Sequence, residues 1–302
     1  MIPRILYTVF GLSPDFGGKP FGMLHYACIM SALAHIRPDR CVIAYAHEPD
    51  TPWWHRLKGL VETRRITPPE RVFGNVVSHY AHRADVWRIE TLLEHGGIYL
   101  DADVLVTRPF DDLLAHEMVM GLQRDGYGEG LCNAVMLAAP GAPFLARWYD
   151  TYRSFRSRGR DAYWDEHSVR IPRRLAAEHP GEITVLPPEA FFTPGPADPD
   201  IDRIFASPAP LDLPGAYAHH LWESAAWAPY LDGLTIAEVR RRDTAYHHLI
   251  RPYLAGVPDD FDAAAMARGE GLRRTRQRLL PVLRLLDRTV PNLAWRVRQH
   301  LR

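Results

Sequence analysis

Cysteine is scarce. The chain has three, Cys28, Cys41 and Cys132, far apart and with no Cys-x-x-Cys pair. That argues against a disulfide framework or a cysteine zinc site and favours a reducing compartment. The opening "MIPRILYTVFG" lacks a charged leader followed by a long apolar core, so no signal peptide is expected. No apolar run approaches the roughly 18 residues that a membrane-crossing helix needs. There is no phosphate-cradling glycine loop of the Walker type, which counts against one class of phosphotransferase. Fixed-period repeats and low-complexity segments are absent too. Net charge is missing: Lys+Arg and Asp+Glu are both 36. The balance is uneven, because residues 273–302 hold nine Arg and one acid, Asp287. These absences lead us to expect a cytoplasmic protein or one at the inner face of a membrane.

What is present reads as alternating strands and helices. A length of 302 residues suggests one domain with insertions. "RILYTVF" (4–10) is a β-branched and aromatic strand, followed by a Gly/Pro-rich loop, 11–22. "MLHYACIMSALAHI" (23–36) has a helical period, and "CVIAYA" (41–46) is a second strand. "TPWWHRLKGL" fits a short helix with Thr51 as N-cap and Pro52 in its first turn. The clearest helix spans 77–97: Val86, Ile89 and Leu93 recur at helical spacing, with Leu92 beside them, and Gly96 and Gly97 stop it. "IYLDADVLV" (98–106) follows as a strand, "CNAVMLAAP" (132–140) is another, and 142–155 is a helix. The pattern predicts an α/β layer fold with a largely parallel sheet. Residues 183–200 hold one short strand and then a proline-rich stretch, and the chain closes on two basic helical pieces divided by Pro291.

Within 98–106 stand Asp101 and Asp103. In an extended strand they share a face, with Leu100, Ala102 and Val104 turned to the core. Two adjacent carboxylates in a half-buried place repel, and desolvation adds to the cost. A divalent ion removes both problems, and hard oxygen ligands suit Mg²⁺ or Mn²⁺ bridging to phosphate. Two solvated acids are the plainer explanation of the triplet alone, but Ile98, Leu100, Val104 and Val106 hold it near the core. Asp85 and Arg88 lie on one helix face. Arg88 either pairs with Asp85 or holds a phosphate or sugar hydroxyl, and a surface pair would contribute only a few tenths of a kcal/mol. His219 and His220 stand among aromatics near Ser224 and Trp227; an imidazole suits Mn²⁺, although most of the 15 His must be structural.

These segments together resemble the Asp-x-Asp sugar-binding region of glycosyltransferase family 32 and its relatives, which include capsular and lipopolysaccharide transferases, α-1,4-galactosyltransferases and initiating mannosyltransferases. Ala84-Asp85, Arg88, Gly96-Gly97-Ile98-Tyr99, Asp101 and Asp103 follow the family pattern, with Ala84 in place of the usual Ser. "IPRILYTVF" is similar to the family's opening strand, with Tyr7 for His and Phe10 for Trp; "CNAVMLAAPGAPFLARW" and "HHLWESAAW" are similar to later segments. The likeness spans about residues 2–227.

The resemblance implies a GT-A-type, Rossmann-like mixed sheet flanked by helices, a nucleotide-sugar donor, Mn²⁺ or Mg²⁺, and retention of anomeric configuration. Carried over by position, Asp103 and His220 hold the metal, and Asp101 touches the donor and reaches the metal. Phe10 lies along the base with Thr8 and Val9 nearby; Tyr99 stands beside the acidic pair; Asp85 and Arg88 hold the donor sugar; Ser224 and Trp227 close the donor site. Asn133 faces the reacting centre, and Asp165 and Glu166 lie near the anomeric carbon. The expected activity is a metal-dependent retaining hexosyl transfer from a UDP-sugar, or second a GDP-sugar, to a saccharide, lipid-linked or small-molecule hydroxyl, as in polysaccharide biosynthesis. A metal-dependent nucleotidyltransferase and a non-catalytic carbohydrate-binding protein of the same fold are the alternatives. The expected division is a catalytic domain, 1–255, and a basic helical extension, 256–302. Residues 272–302 either meet anionic lipid peripherally or pack on the core. No nucleic-acid recognition motif accompanies them.

Overall fold

The structure is a computed structural model that describes residues 1–125, 128–211 and 213–264. Strand β1 (Ile5–Val9) leads through the glycine-rich loop to α1 (Met23–Ile36), β2 (Arg40–Tyr45), α2 (Pro52–Leu57) and β3 (Glu62–Arg65). Thr51 caps α2 as expected: its side chain accepts from the Trp54 N–H, and Pro52 opens the first turn. A small antiparallel pair, β4 (Arg71–Val72) and β5 (Asn75–Val76), precedes the long helix α3 (Tyr80–His95).

After α3 come β6 (Gly97–Leu100), β7 (Val104–Val106), β8 (Met118–Asp125), β9 (Gly128–Ala138), α4 (Pro143–Asp150), α5 (Ile171–Glu178) and β10 (Thr184–Leu186). The remaining elements are α6 (Asp198–Phe205), β11 (Ala218–His220), α7 (Glu223–Ala226), α8 (Ile236–Arg241) and α9 (Ala245–Ile250).

Seven strands form one sheet in the order β10-β8-β9-β6-β1-β2-β3. Strands β6, β1, β2 and β3 run parallel; β9 runs antiparallel to both its neighbours, and β10 is parallel to β8. The sheet is therefore mixed, as the family likeness implies, and with β9 alone reversed it is also largely parallel, as the strand–helix alternation suggested. The α/β expectation holds. Side chains alternate across the sheet: Leu6, Ile43, Ile98 and Leu100 enter the core shared with α1, α2 and the later helices, while Tyr7, Val42 and Tyr99 enter the one shared with α3, α4 and α5.

Two glycines let α3 run straight into β6. The Gly96 N–H closes the helix on the Leu92 carbonyl (2.9 Å) at φ 63°, a left-handed value. Gly97, at φ 122°, lies so close to β1 that an added Cβ would meet the Ile5 carbonyl oxygen at 2.7 Å. We expect Gly97→Ala to destabilise the protein by about 2–4 kcal/mol, from backbone strain and the clash together. Urea denaturation of the two proteins measures this; an unchanged midpoint would show that β6 can slide away from β1.

Strand 98–106 is the main correction. It is broken at 101–103: β6 belongs to the large sheet, whereas β7 pairs antiparallel with β11. The break is a turn, in which the Val104 N–H donates to the Asp101 carbonyl (3.1 Å). Asp101 and Asp103 thus meet across a turn and not along a pleat, and Ala102 lines a cavity rather than the core. The basic stretch from residue 265 onward, and with it any membrane contact, lies outside the described residues. Among those described, no helix is long and apolar enough to cross a membrane.

Candidate active site

Parallel strands present their carboxyl ends on one edge, where ligands bind in open α/β sheets. Here β1 and β6 are neighbours, paired Leu6 to Ile98 and Tyr7 to Tyr99. Phe10 and the Asp101–Asp103 turn therefore emerge side by side, and both line a cavity of about 980 Å³. That is ample for a small-molecule ligand.

One segment, residues 220–223, wraps Asp103. Strand β11 pairs His220 with Val104, which brings the His220 Nε2 to 3.2 Å from Asp103 Oδ1. The Leu221 N–H donates to the Asp103 carbonyl (2.9 Å), and the Glu223 N–H donates to Asp103 Oδ2 (2.8 Å). Between them Trp222 takes φ 50°, a left-handed value that costs a non-glycine residue about 1–3 kcal/mol. Its indole N–H, donated to the Pro194 carbonyl at 2.8 Å, helps hold that turn.

Behind Asp101 lies a buried charged network. Arg88 is 4% exposed and Asp85 6%. The Arg88 Nη2 stands 3.4 Å from Asp85 Oδ1 and 3.2 Å from Asp101 Oδ1. Its Nη1 donates to the Asn133 carbonyl (2.7 Å) and its Nε to the Ala84 carbonyl (3.3 Å). The guanidinium lies 4.3 Å from the Tyr99 ring centroid, and the Tyr99 hydroxyl donates to Asp101 Oδ1 (2.8 Å). The Asn133 amide donates to Asp85 Oδ1 (2.7 Å). Arg88 is thus no surface ion pair. Its donors face fixed protein acceptors, so it acts as a positive plate beneath the carboxylates.

The two aspartates titrate apart. Burial pushes the Asp101 carboxyl up, partly offset by Arg88 and reinforced by Asp103, and the net direction is upward. Burial acts on Asp103 as well, but His220 and the Glu223 N–H outweigh it and hold its carboxyl well below the usual carboxylate range. Burial pulls His220 down, yet the Asp103 carboxylate prevails and its value rises. Asp101, Asp103 and His220 can bring ligand atoms within 4.8 Å of one another. His220 Nδ1 is buried with no hydrogen-bond partner. Two carboxylates and an imidazole form a donor set suited to Mn²⁺ or Mg²⁺.

The cavity gathers most of the residues singled out in the sequence. Val9, Phe10, Asp85, Arg88, Tyr99, Asp101, Asp103, Asn133, Asp165, His220 and Ser224 line it. Phe10 stacks on Phe16 (5.9 Å) and meets Phe21 and His25 edge-on. Three residues stand elsewhere. Thr8 is buried in β1 and ties it to β6 by donating to the Leu100 carbonyl (2.9 Å). Glu166 takes a two-pronged pair from Arg156 (3.0 and 2.6 Å) outside the cavity lining. Trp227 packs against the core beyond α7. Sequence reasoning passed over Lys19, His25 and Glu223, which meet beside Asp103. Their mutual contacts join segments some 200 residues apart, and nothing in local patterning signals such contacts.

Residues 25–120 match the family described as "glycosyltransferase sugar-binding region containing DXD motif". The chain is similar to glucan organizing enzyme 1 of Cryptococcus neoformans var. grubii, with 34% identity over 280 residues, covering 89% of this chain and 75% of that protein. An uncharacterized Arabidopsis thaliana protein is 24% identical over 217 residues, covering 64% of this chain and 33% of that one. Among solved structures, the apo form of the glycosyltransferase GlyE of Streptococcus pneumoniae TIGR4 superposes with a TM-score of 0.45 at 12% identity, over 89% of this chain and 63% of that one. The bifunctional glycosyltransferase WbbM gives 0.47 at 10% identity, over 92% and 52%. It is the likeness to the fungal protein over most of both chains that places this one: the chain belongs to the glycosyltransferases whose sugar-binding region contains a DXD motif.

Proposed function

We propose that the protein transfers a sugar from a nucleotide-diphosphate donor to a saccharide hydroxyl with retention of configuration, and that Asp101, Asp103 and His220 hold the Mn²⁺ or Mg²⁺ this needs. One observation carries the reading: at the carboxyl end of β6, two half-buried carboxylates and an imidazole converge on the wall of a large cavity, backed by a fully engaged Arg88. A divalent cation bound there would supply charge stabilisation for the departing diphosphate.

The chain's own residues do the rest. Phe10 offers an aromatic wall to the base. Asp85 and Asn133, held rigid by Arg88, present hydrogen-bonding groups to the sugar. The same array orients the anomeric carbon toward the rest of the cavity, which Asp165 also lines. An acceptor oxygen entering there forms the new bond to carbon 1 as the bond to the phosphate oxygen breaks. The electron pair stays on that phosphate oxygen, which also takes the hydroxyl proton. The fungal relative's name speaks of glucan, which agrees with a saccharide acceptor.

The test is a screen of UDP- and GDP-sugars for Mn²⁺-dependent hydrolysis without acceptor. We expect one base class to be turned over and EDTA to stop it; no turnover of any nucleotide sugar would sink the reading.

Metal affinity is also expected to depend on pH. His220 is raised above its ordinary value in the metal-free fold, so it carries a proton below that raised value. That proton stabilises the Asp103 pair at low pH, and its contribution fades as pH rises through the raised value. The same proton must leave before the ring can coordinate. The rise in Tm produced by Mn²⁺ should therefore be larger at pH 8 than at pH 6. An equal rise at both would exclude His220 from the metal.

A further inference from the structure

Lys19 is one of only two lysines in a chain with 36 basic residues. Arginine serves nearly everywhere else, so the one ammonium on the cavity wall asks for a reason. It sits in the loop after β1, where Phe16, Gly17 and Gly18 take successive left-handed φ values of 54°, 64° and 75°. The loop bends over the cavity, and Gly17 packs so closely that an added Cβ would meet the Tyr80 hydroxyl at 2.7 Å. The bend carries the Lys19 Nζ to 2.7 Å from Glu223 Oε2 and 3.0 Å from Ser224 Oγ. Its side chain remains 16% exposed.

The partners show that Lys19 can leave. The other oxygen of Glu223 lies 2.9 Å from the His25 Nε2. The His25 Nδ1 accepts from the Gly22 N–H (3.0 Å), which turns the Nε2 edge of the ring toward Glu223 Oε1 as a close polar contact. Glu223 therefore keeps the His25 ring beside it when the lysine swings away, and its backbone N–H stays on Asp103.

The two arginines on the cavity wall already have partners, Arg88 within the buried network and Arg170, 54% exposed, nearer the surface. Arg88 is locked between Asp85, Asp101 and two carbonyls. Arg170 is tied to Asp165 (2.7 Å) and the Ala162 carbonyl (2.9 Å). A lysine on a flexible four-carbon stem can move a point charge between partners, which a forked guanidinium does poorly.

We propose that Lys19 is the phosphate-binding residue for the donor: it leaves Glu223 and Ser224 to bind the diphosphate of a nucleoside diphosphate lying against Asp101 and Asp103. The inference rests on the donor reading above and adds a side-chain cation to the metal that reading already names. It also makes loop 11–22 part of the donor site, drawn over the nucleotide through one side chain.

Calorimetric titration with UDP and with GDP, each with and without Mn²⁺, tests it on wild type, Lys19→Met and Lys19→Arg. For whichever nucleotide the wild type binds, we expect Lys19→Met to bind about 10- to 100-fold more weakly, the range for a lost charged hydrogen bond. Lys19→Arg should fall between the wild type and Lys19→Met, because the charge is kept but a guanidinium moves less freely between partners. The metal-free Tm of Lys19→Met should remain near that of the wild type, since His25 still stands beside Glu223. Undiminished binding by Lys19→Met overturns the proposal. So does equal loss in Lys19→Arg and Lys19→Met, which would make Lys19 a loop tether whose charge is immaterial. Failure of the wild type to bind either nucleotide sinks the donor reading and this inference together, whereas wild-type binding with an indifferent Lys19→Met sinks this one alone.

Discussion

Asp103→Ala is expected to abolish release of sugar from the donor while the protein stays folded. Asp103 is where the fold concentrates its design: a His220 ring nitrogen, the Glu223 N–H and the Leu221 N–H all converge on this one residue. Its carboxyl is ionised at any working pH because His220 and the Glu223 N–H outweigh burial. Removing it takes a charged ligand from a site where preorganised electrostatics act on the transition state, so the rate should fall about 10²-fold or more. Some stability should be lost with the His220 pair, because a carboxyl held below its usual range stabilises the fold at neutral pH, but not enough to unfold the protein. The Glu223 N–H loses an acceptor, but Asp101 and Glu223 lose a neighbour of like charge. Asp103→Asn keeps the shape and loses the charge, and it should be impaired nearly as severely. Donor hydrolysis with Mn²⁺ reads the rate, and circular dichroism the fold. A fully active Asp103→Ala, with excess EDTA present, would overturn the metal assignment.

Arg88→Ala should do the opposite: it attacks the fold first. The guanidinium is buried, faces two carboxylates and two carbonyls, and lies over the Tyr99 ring. Truncation leaves Asp85 and Asp101 as uncompensated buried charges, and breaking such a pair costs about 3–5 kcal/mol. Part of that is recovered when the Asp101 carboxylate takes up a proton, so the loss should ease in mildly acidic buffer. Asp101 is already raised by burial, with Arg88 pulling it back. Without Arg88 its value climbs further. Protonation then relieves the folded state over the window between the ordinary carboxylate value and the new, higher one. Arg88→Lys should remain damaged, because one ammonium cannot reach the acceptors that a planar fork spans. Urea midpoints at pH 7 and pH 5 measure both effects. A midpoint for Arg88→Ala equal to that of the wild type would show that the network stabilises nothing.

Much of the frame was legible in residue order, because local physics decides it. Helix α1 spans the residues its apolar period predicts. Thr51 and Pro52 start α2 because a hydroxyl and a preset φ satisfy a helix end locally. Gly96 and Gly97 mark the passage from α3 to β6 because few other residues accept those dihedrals. The strand ending at the acidic pair was visible for the same kind of reason. Its length was not: a turn of three residues looks the same as a pleat when both flanks are apolar. Strand β8 escaped notice, and with it the antiparallel placement of β9, since the direction of a strand depends on what it pairs with.

The sequence by itself determined which residue types could do the chemistry: the Asp101–Asp103 pair, Asp85 and Arg88 one helical turn apart, Asn133 and His220. Only the tertiary structure decided that Arg88 is buried rather than solvated, because exposure depends on β9 packing over α3. Only it set His220 against Asp103, through the register of β11 on β7, and turned Lys19 toward Glu223 across more than 200 residues. Propensity and capping act over a few neighbours, whereas charge pairing in a cavity acts between surfaces that chain order leaves far apart.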